Sequence, residues 1–91
     1  MRHVILDGSA LPDQETVHAS LRAQLALPEH YGNNLNALWD CLAGWTDLPV
    51  SVEWSSFGKS QVLLGEFAED LRGVFETAAR ELDGFSFVVT Q

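Results

Sequence analysis

Apolar positions recur along this chain in two rhythms, and each change of rhythm falls at a turn signal. Residues 2–6, RHVIL, are a short β-rich run, and DGSALP behind them is turn chemistry. Asp13 stands where it can cap a helix that carries Val17, Leu21 and Leu25 at four-residue spacing. Leu27-Pro28 ends that helix, because the residue before a proline is pushed out of the helical region. PEHYGN reads as a loop, Asn34 as the N-cap of the next helix, and Gly44 as its C-terminal stop. PVSVEW, residues 49–54, alternates with period 2 and predicts a strand. Ser55 or Ser56 can cap a short helix through Leu64, and Gly65 breaks it. A longer helix over 66–82 puts Phe67, Leu71, Val74, Phe75, Ala78 and Leu82 along one stripe. Asp83-Gly84 turns the chain into a last strand, FSFVVT.

Strand, helices, strand, helices, strand is the order that crossover connections and a parallel sheet produce. The expected fold class is therefore α/β, with a three-stranded parallel sheet flanked by about four helices. No repeat, low-complexity tract or linker divides the 91 residues, so a single domain over 1–91 is expected. With so few strands, the helices must supply much of the core.

The segment PEHYGNNLNALWDCLAGW, residues 28–45, does not read as an ordinary amphipathic helix. Placed at 100° per residue, its helical part puts Leu35, Leu38, Leu42 and Trp45 on a core face, with Cys41 at the edge. Asn36, Asp40, Ala43 and Gly44 fall on the other side, and Trp39 sits at the boundary beside Leu35. The outward face is thus small and flat near its end, with one carboxylate projecting. That carboxylate is poorly placed for the helix itself. The C-terminal half of a helix favours cations, by roughly 0.3–1 kcal/mol per charge near the last turn. Aspartate is also a poor interior helix former. No Lys or Arg stands three or four residues from Asp40; its neighbours there are Asn36, Ala37, Ala43 and Gly44. Either Asp40 is an ordinary solvated acid or it is held for a cation supplied by another molecule. His30, Tyr31, Trp39 and Trp45 bring aromatic surface to both ends of the helix, a composition found at protein interfaces as well as in small cores.

Composition sharpens the second choice. Thirteen acids against five Lys and Arg give a net charge of −8, and no Lys or Arg occurs between Arg22 and Lys59. Phosphate binding needs a cationic face, so a nucleic-acid ligand is not expected. The charge serves solubility or steers a cationic partner. Apolar content of 46% fits a globular chain. The longest apolar runs, VIL, VLL and FVV, are far below the ~20 residues of a membrane span, so no membrane partner is expected. The N-terminal stretch is too brief for a signal-peptide core, and one cysteine forms no internal disulfide. The cytoplasm is the expected compartment.

LALPEHYGNNLNALWDCLAGW, residues 25–45, resembles the signature segment of the barstar family, intracellular inhibitors of the ribonuclease barnase. The likeness continues through PVSVEW, VFETAARE and SFVV. The resemblance implies a barstar-like fold and an inhibitor that sets an acidic helix and its preceding loop in a ribonuclease's cationic active site. By position it implies that Asp40 enters the phosphate pocket, that Asn34, Leu35, Trp39, Gly44 and Trp45 make contact, and that Glu81 adds an acid from the last helix. It implies a small basic, barnase-like ribonuclease as partner in a 1:1 complex, with no cofactor, metal or small-molecule substrate. Asn36, His30 and Thr77 depart from it: they stand where the family's type member has an acid, a tyrosine and an acid. Cys41 matches one family cysteine, and Asp83 lies where a second would be.

Other readings remain beside this one. His30, Asp40 and Cys41 invite a Cys–His enzyme or a metal site, but no H-x₃-H or C-x₂-C spacing exists, so no enzyme is expected. An immunity protein or antitoxin against a different cationic toxin would use the same acidic surface. An acidic regulatory module with no nuclease partner is the third.

Overall fold

Alternation along each strand sends one set of side chains to the helices and the other to solvent. A computed structural model describes residues 2–91. Its strands are β1 (Arg2–Asp7), β2 (Val50–Ser55) and β3 (Phe85–Val89), paired in parallel in the order β1-β2-β3. The helices are α1 (Gln14–Leu25), α2 (Leu35–Gly44), α3 (Phe57–Leu64) and α4 (Glu66–Glu81). The fold is the α/β class expected from the sequence.

Val4, Leu6, Val50, Val52, Trp54 and Phe85 point from the sheet into one core shared with all four helices. On the opposite face Ile5, Glu53 and Val88 lie in register across the strands and are exposed. Parallel sheets are usually covered on both faces and read as unbroken apolar runs. The alternation in VSVEW is the sequence trace of a sheet covered on one face only. At the outer edge of β1 the Gln24 side chain accepts from the Ile5 N–H and donates to the Ile5 carbonyl, both at 2.8 Å. It thereby blunts an edge that could otherwise pair with another chain.

Several helix signals hold. Asp13 accepts from the Thr16 N–H at 2.8 Å and Asn34 from the Ala37 N–H at 2.8 Å, so both act as N-caps. Others need correction. α1 stops at Leu25, before Leu27-Pro28, because Ala26 turns into the left-handed region at φ 52°. Ser56 is the cap residue of α3 but makes no side-chain capping bond, since it too is left-handed at φ 54°. The turn DGSALP contains a 3-10 helix, Gly8–Ala10, capped by Asp7 through the Ser9 N–H. No helix among the described residues is long and apolar enough to cross a membrane.

Trp54 is the largest fully buried side chain. Its ring meets Phe57 edge-on at 4.9 Å between centroids, and its indole N–H donates to Ser60 Oγ at 2.9 Å. A buried indole needs such a partner, because an unpaired polar group inside costs free energy. Gly8 packs directly on this arrangement: a Cβ there would overlap the Ser56 carbonyl and the Ser60 hydroxyl. Gly8→Ala should therefore destabilise the fold by about 1–3 kcal/mol, as overpacked sites do. Urea denaturation of both proteins checks this, and an unchanged midpoint would mean that the turn into α3 retreats without cost.

Candidate functional site

The loop from Pro28 to Asn34 decides where α2 begins and which way it faces. Its anchor is Tyr31, which is 4% exposed and belongs to the core rather than to the surface. The Tyr31 hydroxyl lies 2.6 Å from Nδ1 of His18, itself 3% exposed. Arg22, in the last turn of α1, holds the same loop from outside. It donates to the Asn33 side-chain oxygen at 2.9 Å and to the Tyr31 carbonyl at 3.3 Å, with its guanidinium 5.7 Å from the Tyr31 ring centre. Asn33 sits at φ 52°, a conformation that Asn tolerates better than most residues. Asn34 closes the loop by capping α2 and by donating to the Gly32 carbonyl at 3.3 Å.

From this anchor α2 runs with Leu38, Cys41 and Leu42 buried. Leu35 and Trp39 are half-buried, while Asn36, Asp40, Ala43 and Gly44 are exposed. Trp45 departs from expectation. It does not join the core face but is 55% exposed, because it lies just beyond the last helical residue, Gly44. Its indole donates to the Ala26 carbonyl at 3.2 Å and its ring meets His30 edge-on at 6.3 Å. The left-handed turn at Ala26 is thus braced by the aromatic that follows α2.

Two depressions flank the helix. One, of about 650 Å³, lies between α2 and α4; Leu35, Asn36 and Trp39 line one wall and Asp70, Gly73, Val74, Thr77 and Glu81 the other. A second, of about 380 Å³, lies toward the loop and is lined by Pro28, His30, Tyr31, Ala37, Asp40, Cys41, Gly44 and Trp45. Eight sequence-predicted positions line one depression or the other: Leu35, Asn36, Trp39 and Glu81, then His30, Asp40, Gly44 and Trp45. The ninth, Asn34, is the cap between loop and helix.

No Lys or Arg lines either depression. Among the described residues the one ion pair is Arg72–Glu76, at 3.4 Å on α4, so Asp40, Asp70 and Glu81 have no ion-pair partner there. Cys41 lies in the loop-side depression, yet burial and then the neighbouring Asp40 charge push its thiol pKa up. A thiol held protonated is a weak nucleophile. No cluster of three or more His, Cys, Asp or Glu suited to a metal ion occurs among the described residues. The groups gathered here are acids, apolar ledges, aromatics and amides. Sequence reasoning missed Arg22, His18, Asp70 and Gly73. For Asp70 the signal was present, since Asp70, Val74, Thr77 and Glu81 share one face of α4 by spacing. For His18 it was the three-residue step to Leu21 and the seven-residue step to Leu25.

Fold and site together define a parallel-sheet α/β protein whose second helix is flanked by two depressions that carry acids and no Lys or Arg in their linings. The chain belongs to the barstar family: residues 1–91 match the family described as "Barstar (barnase inhibitor)". It is also 41% identical over 90 residues to the "Putative ribonuclease inhibitor YrdF" of Bacillus subtilis (strain 168), covering 98% of this chain and 99% of that protein.

Burial, and secondarily the charge of Arg22, hold the His18 pKa below its ordinary 6.5, while burial is the first cause that pushes Tyr31 up to about 12. The unfolded chain takes up a proton near pH 6.5 that the folded chain refuses. Stability from keeping His18 neutral is therefore complete above about pH 6.5 and is lost as pH falls from there toward the lower folded-state value. His18→Gln removes that titration and keeps a polar group for Tyr31. Between about pH 7.5 and 5.5, the wild type should lose more stability than His18→Gln in chemical denaturation. Parallel profiles would mean that His18 accepts its proton inside the fold.

Proposed function

We propose that this protein is an intracellular inhibitor that binds a small basic ribonuclease one to one and closes its cationic active site with α2 and the loop before it. The carrying observation is Asp40: an exposed carboxylate in the loop-side depression, which no Lys or Arg lines, in the half of a helix where negative charge is unfavourable. Membership of a family described by barnase inhibition, and a relative named for ribonuclease inhibition, support the same reading. Asp40 would supply the anion that a phosphate-binding pocket is built to receive. Asn34, Leu35, Asn36, Trp39, Gly44, Trp45, His30 and Glu81 would frame it. Catalysis has no part in this mechanism, which needs only a surface held rigid before contact. Preorganisation of the loop by Tyr31 and Arg22 supplies that rigidity, since ordering already completed in the free protein is not charged against binding.

An antitoxin or immunity role against a different cationic toxin is the second reading. Asn36 and His30 favour it by leaving the centre of the face less acidic, with the His30 ring set edge-on to Trp45.

Asp40→Ala should weaken inhibition at least about a hundredfold while leaving the melting temperature unchanged or higher. Removing one member of a desolvated ion pair strands the other charge, at a cost of about 3–5 kcal/mol. Inhibition constants against barnase and thermal melts check this; unchanged inhibition with lost stability would reject the role given to Asp40. Asn36→Asp should raise the association rate with a barnase-like enzyme, more at low salt than at high salt. A slower rate at low salt would turn the assignment toward the second reading.

A further inference from the structure

The two edges of the sheet are finished differently. Along the outer side of β1, Gln24 bonds both backbone groups of Ile5. β3 forms the other edge, and nothing among the described residues does the same for it. Val50 donates to the Gly84 carbonyl at 2.8 Å, and Thr90 donates to the Trp54 carbonyl at 2.9 Å. Backbone groups alternate in direction along a strand, so those of Gly84, Ser86, Val88 and Thr90 face β2 while those of Phe87 and Val89 face outward. Neither Phe87 nor Val89 has a backbone partner on that side among the described residues. The side chains leave the edge open as well. Phe85 is 5% exposed, but Phe87 and Val89, on the same covered face, are only half-buried, so the helical layer does not reach fully over the edge strand. On the open face Val88 is 53% exposed. Residues 84–91, GFSFVVTQ, hold no charged side chain and no proline, in a chain of net charge −8. Charges and prolines are what natural edge strands use against pairing, and β3 has neither.

From this edge we infer that β3 pairs with β3 of a second copy of the chain, antiparallel about a twofold axis at Val88, joining two three-stranded sheets into one of six. In that register Phe87 and Val89 of one copy exchange backbone bonds with Val89 and Phe87 of the other. Val88 stands opposite its own equivalent, at a non-bonded position where the two Cα atoms are about 4.5 Å apart. The strand itself selects this occupant. A twofold interface sets one patch against the same patch, so like charges there would oppose each other, and this acidic chain keeps charge off β3. The outward N–H and C=O groups are satisfied, and the half-buried flanks of Phe87 and Val89 gain cover from the same residues of the second copy. A contact of one short strand falls below the ~1,200 Å² of lasting complexes, so the pairing is weak and reversible. It uses neither α2 nor the loop before it and is independent of the ribonuclease reading.

Sedimentation equilibrium of the full chain, from about 10 μM to about 1 mM, tests this. The mass should rise from 10.0 kDa toward twice that value, and more steeply at high salt, because screening relieves the repulsion between two anionic copies. Val88→Lys sets two cations opposite each other and should weaken pairing at least about tenfold, although it lowers the net charge. Val89→Pro removes one outward N–H, leaves the bonds to β2 in place and should weaken pairing likewise. Ile5→Lys puts the same charge on the same face at the far strand and should leave pairing unchanged. Val88→Cys should cross-link two copies on oxidation, because the facing Cβ atoms come within reach of a disulfide. A constant mass of 10.0 kDa up to about 1 mM would overturn the inference. So would wild-type association by Val88→Lys, which alters only an exposed side chain and decides the matter if Val89→Pro does not fold. Equal loss in Ile5→Lys would overturn it in favour of stacked open faces, and growth beyond two copies would overturn the closed twofold pairing.

Discussion

The acidic face depends on a contact it does not display, the burial of Tyr31 against His18. A loop of nine residues between two helices could point α2 in many directions. Seating the Tyr31 ring in the core removes most of that freedom, and the His18 nitrogen at 2.6 Å satisfies the hydroxyl that burial would otherwise strand. Arg22 then fastens the outside of the loop, and Asn34 fixes the first turn of the helix. Once the loop is set, the positions of Asp40, Trp39 and Gly44 follow from helical geometry alone. Trp45 closes the arrangement from the far end by bonding to the backbone of Ala26, where α1 gave way to the loop.

Features with local causes were legible in the sequence. The strands announced themselves by period, and Asp13 and Asn34 by their position before apolar runs, because a cap bonds only three residues ahead. The same holds for Asp40, whose isolation from cations at helical spacing is a count along one turn. What was not legible involves residues distant in sequence. Trp45 falls on the core face by angle but lies past the helix end, and its partner Ala26 is nineteen residues earlier. Arg22 looks like a surface arginine until the loop folds back over it. Gly73 and Asp70 line a groove only because α4 packs beside α2, and no period in either helix states that the two helices form its walls. The left-handed residues Ala26 and Ser56 gave no signal, since neither is a type that prefers that conformation.

The division of charge follows from the same packing. Arg2 donates to the Gln24 carbonyl, Arg22 to the loop, Arg72 to Glu76 and Arg80 to Thr77. Four of the five Lys and Arg are thereby engaged with the chain's own groups. None of them lines the depressions beside α2, where the acids stand without ion partners. The field at that face is therefore more negative than a uniform spread of the net charge would make it. Such a field favours encounter with a cationic surface and disfavours nucleic acid, so the same asymmetry would steer an inhibitor to an enzyme without competing for the enzyme's substrate.

Under the proposed inhibitor role, stability and recognition pull against each other at identifiable atoms. Asp40 in the second half of α2, Gly44 at its end and Gly73 within α4 all weaken the helices that carry them. None is repaid by an internal contact: a Cβ at either glycine would meet nothing within 4 Å, and Asp40 has no ion-pair partner among the described residues. Gly8 and Gly84, by contrast, answer to packing and backbone geometry. These three positions share one location, beside the two depressions that flank α2. Proteins keep such locally unfavourable choices where function needs them and recover the stability elsewhere. Here the recovery lies in the core beneath, where Tyr31, Trp54 and the covered face of the sheet hold the helices in place while Asp40, Gly44 and the depressions beside α2 stay at the surface.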